Sequence, residues 1–334
     1  MSVFFCIFAP QKSRPMGQTG YIPPFTVTSE ILRLVGDISE LVGHLNVSVG
    51  EARMPQLRKE NRIKTLQSSL AIENNSMSIE QVTAILEGKR VLGPPNEITE
   101  VKNAVDAYNL MLELNPYKPK DLLRAHGLMM AGLVKESGRF RSGGVGVTDG
   151  KQVVHIAPPA MRVPQLIAEL VDWVKSTDTH PLVSSCVFHY EFEFIHPFAD
   201  GNGRMGRMWQ TLLLMQWRPL FAWVPVETIV KEHQQEYYRV IALCDSKGNS
   251  TAFIEFMLKC LLDALLEMEK SNQKSNQKIL ALIAQDATIS MRELQEKTGL
   301  SESGVKKIIR QLREAGLLVR EGGAKGGRWR VTTQ

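Results

Sequence analysis

The sequence predicts a mainly α-helical protein with one small β-hairpin, followed by a C-terminal winged helix-turn-helix. Three observations predict it. Apolar residues recur at helical spacing through most of the chain before residue 270. A single glycine-rich stretch, 138–150, breaks that pattern and leads into short valine-rich runs. Beyond a polar tract at 269–278, three short helical patterns precede two short strand patterns with a glycine-rich tip between them.

Each element has a local reason. Ile31, Leu34, Val35, Ile38, Leu41 and Val42 mark a helix over 28–45, and a second is expected over 57–72, stopping at Asn74 and Asn75. Ser78 can cap a short helix that Gly88 ends. The periodic run 98–114 has Asn96 or Thr99 as a candidate cap, and 121–133 is a further helix. Asp149 and Gly150 lie between Val145, Val147 and Val153, Val154, Ile156, which is a hairpin signal, and Pro158 with Pro159 ends it. Helices are expected again over 163–175, 182–194, 205–215, 234–245 and 251–269. The low-complexity tract 269–278 reads as a linker. After it, 279–285, 290–298 and 302–314 read as helices, with Val305, Ile308, Ile309 and Leu312 facing inward, and 317–320 with 328–332 as the wing. The domain boundaries that follow are a loosely ordered extension at 1–27, a helical body at 28–268, the linker, and the small domain at 279–334.

Composition narrows the function classes. Hydrophobic and charged contents of 43% and 22% are those of an ordinary soluble globular protein. Cys6, Cys186, Cys244 and Cys260 have no metal-like spacing, so free thiols in a reducing cytoplasm are expected. The apolar run at 3–9 is too short to span a bilayer and lacks the flanks of a secretory signal; Met16 is a second candidate start. No membrane partner is expected. The net charge of +5 is confined to one end: from 278 onward there are eleven Lys/Arg against six Asp/Glu, while the preceding chain is balanced. A small basic module on a neutral body follows from that asymmetry.

The densest chemistry lies in His196-Pro-Phe-Ala-Asp-Gly-Asn-Gly-Arg-Met-Gly-Arg207. Gly201, Asn202 and Gly203 can turn successive amides into one concavity, an anion nest. A helix following directly adds the positive end of its dipole. Arg204 and Arg207, three apart, share a face of that helix. Asp200 is a hard oxygen ligand suited to Mg²⁺, and His196 is the natural proton acceptor. Phe198 reads as a core anchor for the loop. His189, two turns before His196, reads as core packing rather than as a metal ligand, because no i,i+4 histidine pair exists.

This run resembles the signature of the Fic family (His-Pro-Phe-x-Asp/Glu-Gly-Asn-Gly-Arg-x-x-Arg) at every fixed position. The resemblance covers roughly 28–266 and implies a protein adenylyltransferase, which moves AMP from ATP to a hydroxyl of itself or a target protein. It implies that the 201–203 amides and Asn202 hold the α- and β-phosphates, that Asp200 holds Mg²⁺ bridging them, and that Arg204 and Arg207 meet the β- and γ-phosphates. His196 then takes the proton of a Ser, Thr or Tyr hydroxyl. The hairpin at 144–157 becomes a flap that docks a target by strand addition through Val147, Val153, Val154, His155 and Ile156; a hairpin that merely covers an edge is the alternative.

Ser69, Glu73 and Asn74 resemble the family's inhibitory pattern (Ser/Thr-x-x-x-Glu-Gly/Asn) within the helix at 57–76, and otherwise read as an ordinary helix C-terminus. The resemblance implies that Glu73 pairs with Arg207 through a bidentate bond and slows the enzyme. It also implies an adenine pocket that includes Tyr238 and Asp245, and a homodimer. Two alternatives stand beside the transferase: a de-AMPylase in which Glu73 orients water, and a DNA-binding regulator with a nucleotide-sensing body. For the small domain, Ser303, Lys306, Lys307, Arg310 and Arg313 on its third helix, with Lys325 and Arg328 on the wing, are candidate contacts to duplex DNA; protein–protein packing is the alternative.

Overall fold

The computed structural model describes residues 21–49, 55–148, 153–323 and 326–332. Among them run α1 (Ser29–Val49), α2 (Pro55–Ile72), α3 (Ile79–Leu86), α4 (Pro95–Leu110), α5 (Pro119–Met129), β1 (Gly146–Thr148), β2 (Val153–Ile156), α6 (Val163–Ser176), α7 (Pro181–Ile195), α8 (Asn202–Trp217), α9 (Val226–Glu232), α10 (Gln234–Lys247) and α11 (Thr251–Gln285). The C-terminal unit adds α12 (Met291–Thr298), α13 (Glu302–Glu314), β3 (Leu318–Glu321) and β4 (Arg328–Val331). The mainly helical fold class expected from the sequence is what forms.

α7 sits at the centre. Most of its residues are buried, polar Ser184, Ser185, His189 and Glu191 among them, so it has almost no solvent face. Leu182, Val183, Cys186, Val187 and Tyr190 enter a core built with α1, α10 and α11. Phe188, Phe192 and Ile195 enter a second core with α4, α5, α6 and α8. α8 packs closely along α7 because Gly206 has no side chain: a Cβ there would come within 2.6 Å of Glu193 Oε1 and 3.0 Å of the His189 ring. The two helices flanking the motif loop are thereby held as one rigid support.

Local stops and starts follow side-chain chemistry. Ser78 forms a capping box with Gln81, and Ser290 forms one with Glu293. α4 begins at Pro95, not at an Asn96 or Thr99 cap; the proline needs no amide partner in the first turn, and the Thr99 hydroxyl donates to Pro95 O instead. α5 likewise starts on a proline, Pro119, and ends at Met129, short of the expected 133. The short helix α9 was not expected from its periodicity.

Two boundaries differ from the sequence reading. Residues 21–27, placed in a loose extension, are docked: Pro24 O accepts from Ser250 N at 3.0 Å, Thr26 N donates to Thr251 Oγ1 at 2.8 Å, and the Tyr21 hydroxyl donates to buried Glu191 at 2.9 Å. Residues 1–20 lie outside the described residues. The linker at 269–278 is helical and lies inside α11, which runs without a break from the main body into the small domain. The tract contains no Gly or Pro, Glu, Lys and Gln are good helix formers, and buried Met268 on one side and Ile279 and Ile283 on the other anchor both ends. Ile279 and Ile283 pack with Ile289, Leu294, Val305, Ile308, Leu312, Leu318 and Trp329 in the core of the small domain. β3 and β4 pair antiparallel, Leu318 opposite Val331 and Arg320 opposite Trp329, as the wing.

A proline at Ser275 would remove one α11 hydrogen bond and cost about 3 kcal/mol of local helix. Trypsin cleavage at Lys270, Lys274 and Lys278 is expected to be slow in the parent and several-fold faster in Ser275→Pro; equal rates would show that the tract is not helical in solution.

Candidate active site

The motif loop leaves α7 through His196, whose backbone is left-handed (φ 49, ψ 61). For a residue with a side chain this costs on the order of 1–3 kcal/mol and has to be held by its surroundings. His196 N donates to Phe192 O at 2.9 Å, closing the helix, and its carbonyl accepts from Arg141 Nε at 2.7 Å. His196 Nδ1 lies 3.3 Å from Glu193 O. A carbonyl only accepts, so that contact assigns the ring proton to Nδ1 and the lone pair to Nε2.

Phe198 is the core anchor expected of it. Its ring stacks on His126 at 3.6 Å between centroids and faces Phe140 at 5.8 Å. Asn202 binds its backbone twice: Phe198 N donates to Asn202 Oδ1 at 2.8 Å, and Asn202 Nδ2 donates to Phe198 O at 2.9 Å. The Asn202 side chain therefore shapes the loop, and only its backbone amide remains for an anion. This departs from the role the sequence suggested for the side chain.

His126 fixes the next residue. Gly138 N donates to His126 Nδ1 at 3.0 Å, so Nε2 carries the proton and donates to Asp200 O at 3.1 Å. Burial keeps this ring neutral, with a pKa pulled down to about 4. Gly201 then caps α8 at φ 83, and a Cβ on it would strike Met130 Sδ at 2.6 Å. The first amides of α8 have no carbonyl one turn back to bond and lie at the positive end of the helix, while Gly201 N just before them donates to Asp200 Oδ1 at 2.6 Å and is taken.

The charged groups stand around that helix end. The Asp200 side chain is 60% exposed, 3.6 Å from Arg204 Nη2. Arg204 is buried, with Glu100 at 3.5 Å on its other side. Arg207 is buried too. Its Nε donates to Ser69 Oγ at 3.2 Å, and its Nη2 donates to Ser69 O and to Glu73 Oε1, both at 2.9 Å. The structure thus brings Glu73 to Arg207, as expected, but through one oxygen; the expected bidentate pair does not form, because the Ser69 hydroxyl and carbonyl take the rest of that edge. Arg207 Nη1 and Arg204 Nε and Nη1 carry no hydrogen bond among the described residues. Asn74 turns the chain out of α2 with φ 66.

Acids crowd Arg207. Burial pulls its pKa down, but Glu73, Tyr237 and Glu193 together outweigh this and hold it above the ordinary arginine value. Burial pushes Glu193 up, yet the His189 ring and the His196 and Arg207 charges outweigh it and keep Glu193 low. Glu227, buried on α9 and bonded by the Tyr108 hydroxyl at 3.1 Å, is pushed up to about 7 by burial. His189 is core, bonded to Gln210 at 2.7 Å and to the Tyr237 hydroxyl at 3.1 Å. Among the described residues no cluster of three or more His, Cys, Asp or Glu could hold a metal by itself.

The remaining candidates are placed as follows. The Tyr238 hydroxyl donates to Ile72 O at 3.2 Å, tying α10 to the end of α2, and Asp245 accepts from the Tyr190 hydroxyl at 2.8 Å. The hairpin forms with Val147 opposite His155 and Thr148 opposite Val153 around a register shift. The side chains of Val147, Val153, Val154, His155 and Ile156 and the Asp149/Gly150 turn lie outside the described residues. On α13, Lys306 is exposed and paired with Glu302 at 2.5 Å, Arg310 with Glu314 at 3.5 Å, and Ser303 is half-buried beside Ser301. On the wing, Arg328 pairs with Glu321 at 3.3 Å, and Lys325 lies outside the described residues. Lys307 is a correction: it is 3% exposed and cannot reach a duplex. It lies on a stripe with Gly304 and Ile308, at i, i+3 and i+4, that widens the buried face of α13. Sequence reasoning missed Arg141 and His126. Each lies far from the motif in the chain, and no spacing rule connects them to it.

The raised pKa of Glu227 has a pH consequence. Its folded value of about 7 lies above the ordinary 4.5, so the folded state binds the extra proton between them. Its contribution, of order 3 kcal/mol, is fully present below pH 4.5 and is lost as pH rises through 7. Glu191, also pushed up to about 7 by burial, adds a like fall, and neutral His126 an opposing rise, so the readout is the difference between proteins. From pH 5 to 8 the denaturant stability of the parent is expected to fall relative to that of Glu227→Gln, and identical slopes would contradict the assignment.

Comparison with known proteins agrees with this geometry. Residues 116–214 match the model of the Fic/DOC family, and residues 273–319 match a winged helix-turn-helix DNA-binding model. A solved Fic family protein from Desulfovibrio desulfuricans G20 is 47% identical, with a TM-score of 0.73, covering 94% of this chain and 99% of that one. Fic-1 from C. elegans, 21% identical with a TM-score of 0.59, shares the fold. The protein adenylyltransferase Fic of Culex quinquefasciatus is 29% identical over 294 residues, which is 85% of this chain and 54% of that protein; the Aedes aegypti counterpart is 29% identical over 226 residues. The chain spans about half the length of these curated relatives. Among the described residues no helix is long and apolar enough to cross a membrane. With the motif loop, the hairpin and the helical body in place, the chain belongs to the Fic family.

Proposed function

We propose that the protein is a nucleotidyltransferase that moves AMP from ATP to a Ser, Thr or Tyr hydroxyl of itself or of a target protein, and that Glu73 restrains it. The observation that carries this reading is the pair of buried guanidinium groups on α8 beside the N-terminal amides of that helix. Unbonded N–H groups of Arg204 and Arg207 there suit the oxygens of a polyphosphate. The names of the curated relatives support the same activity.

In the reaction, the acceptor oxygen forms a bond to the α-phosphorus while the bond from that phosphorus to pyrophosphate breaks, and His196 Nε2 takes the hydroxyl proton. Placement and charge stabilisation supply most of the rate, so the protein's task is largely geometric. The α8 amides orient the α- and β-phosphates, and Arg204 and Arg207 neutralise the departing pyrophosphate. Asp200 is the residue to hold Mg²⁺. One exposed carboxylate is a poor metal site alone but suits an ion completed by phosphate oxygens and water. When bound, that ion draws charge from the bridging phosphate oxygens.

Glu73 occupies the Arg207 edge that the γ-phosphate would use. With labelled ATP and Mg²⁺, Glu73→Gly is expected to incorporate AMP at least tenfold faster than the parent, and His196→Ala in that background to fall by 10²-fold or more. Equal rates for Glu73→Gly and the parent would remove the restraint. AMP release from a pre-modified protein by the parent, absent in Glu73→Gly, would assign the water-orienting role instead.

The C-terminal domain carries a second proposal, supported by its family match and by the exposed Lys306, Arg310, Arg313 and Arg328: it docks on duplex DNA through phosphates. Glu302, Glu314 and Glu321 already pair three of those cations, so binding is expected to be weak and steeply salt-dependent. A mobility shift of a random duplex at 50 mM salt is expected to vanish in Lys306→Glu with Arg310→Glu; no shift of the parent at low salt would exclude DNA as the partner.

A further inference from the structure

Arg141 stands outside the motif, yet its side chain grips the motif backbone and the hairpin together. Its Nε donates to His196 O at 2.7 Å and its Nη2 to Ile195 O at 3.3 Å. Nη1 donates to Gly143 O at 2.9 Å, and Nη2 also donates to Pro158 O at 2.5 Å. The Arg141 backbone amide adds a bond to Pro197 O at 3.0 Å. All five acceptors are backbone carbonyls. The side chain is buried, and among the described residues no carboxylate lies in ion-pair range of it. Its charge is met instead by the last carbonyls of α7, which have no amide one turn ahead and carry the negative end of the helix dipole.

The three segments it joins are distinct. Gly143 precedes β1, Pro158 follows β2, and between them Ala157 N donates to Val145 O at 3.3 Å to close the hairpin base. Ile195 and His196 end α7. A planar guanidinium donates around its edge, within its own plane and in fixed directions, so the distance from both hairpin stems to the His196 backbone is set by one rigid group. Neighbouring contacts reinforce the same junction: Phe140 packs on Phe198, and Ser137 Oγ donates to Gly127 O at 2.9 Å on the α5 side. The phosphate side of the site is held by other means, through Asn202, His126, Ser69 and Glu100, none of which bonds Arg141.

We propose that Arg141 is a positioning residue for the acceptor: it fixes the hairpin edge against the His196 imidazole and so sets how a protein hydroxyl meets the base, while nucleotide binding does not depend on it. This rests on the adenylyltransferase reading and adds to it the group that registers the protein substrate.

The test uses the full chain in the Glu73→Gly background and compares Arg141→Gln and Arg141→Lys with that parent. Three quantities are measured: hydrogen exchange of the β1 and β2 amides, affinity for ATP with Mg²⁺ by calorimetry, and self-incorporation of labelled AMP. Arg141→Gln is expected to raise hairpin exchange at least tenfold and to lower AMP incorporation at least tenfold. ATP affinity and α7 exchange are expected to stay within twofold. Arg141→Lys, which keeps the charge and can keep one or two bonds, is expected to recover part of the loss, and it carries the test if the Gln variant does not fold. Unchanged hairpin exchange, AMP incorporation at the parent rate, or a parallel loss of ATP affinity would each overturn the positioning role while leaving the transferase reading intact. A Glu73→Gly parent that incorporates no AMP would overturn the transferase reading, and the acceptor role of Arg141 with it.

Discussion

A guanidinium taken out of water must find negative charge or carbonyl oxygen close by, and the arrangement of helices around Arg207 answers that demand. Ser69 and Glu73 reach it from α2. The pKa of Glu193 on α7 is lowered partly by Arg207, which favours its charged form, and Glu227 on α9 feels the same cation. Tyr108 from α4 hydrogen-bonds Glu227, completing a layer of polar groups under the cation. Three carboxylates around one arginine would leave an excess of negative charge. Part of that excess is relieved because burial keeps Glu227 near half-protonated at neutral pH. The helices that meet here include those that form the two main cores, so the charge balance at Arg207 and the packing of the body are set together.

The catalytic loop depends on a different kind of support. Two left-handed residues, His196 and Gly201, bracket four positions, and the turn they make is not one that an isolated peptide would keep. Stability comes from outside the loop. Asn202 folds back on Phe198, His126 holds Asp200 by its carbonyl, and Arg141 holds His196 by its own. Each of these groups is buried, and each bonds backbone rather than a reacting side chain. The side chains with chemistry to perform are thereby left to face the site, on a backbone that has little freedom to relax.

Much of this was legible in the sequence, for physical reasons. Helical periodicity located α7 and α8, the Ser78 cap and the Gly88 stop marked α3, and the twelve-residue motif supplied the site's residues in order. Local rules failed where a tertiary partner decides the outcome. The tract at 269–278 looked like a linker because it is polar and repetitive, but helix propensity and the buried residues at both ends make it the middle of α11. Lys307 looked like a phosphate contact because it is a cation beside another on the third helix. Gly304 one turn earlier and Ile308 beside it are buried on that face of α13, and the lysine is covered with them. Asn202 looked like a phosphate ligand, and its side chain proved to be the staple of the loop. Arg141 and His126 gave no signal, since each acts on the motif across more than fifty residues of chain.

The geometry at Arg207 also bears on how a restraint of the proposed kind would work. Glu73 contributes one oxygen, while the Ser69 hydroxyl and carbonyl contribute two further contacts from the last turns of α2. Tyr238 and Gln234 of α10 bond Ile72 O in turn, so the end of that helix is fastened on its far side. A restraint of that kind would be built from a side chain and a helix terminus, whose carbonyl end adds negative potential of its own. Nη1 of Arg207 remains outside these bonds but is buried, so a phosphate oxygen would meet it only if a covering group moved. The two-point grip that a guanidinium can give a phosphate needs Nη2 as well, and Glu73 holds that atom. With Nη1 buried and Nη2 held, a nucleotide entering the resting site would find no free arm of Arg207 for its γ-phosphate. Loss of the carboxylate frees the second arm while the Ser69 contacts keep the guanidinium in place.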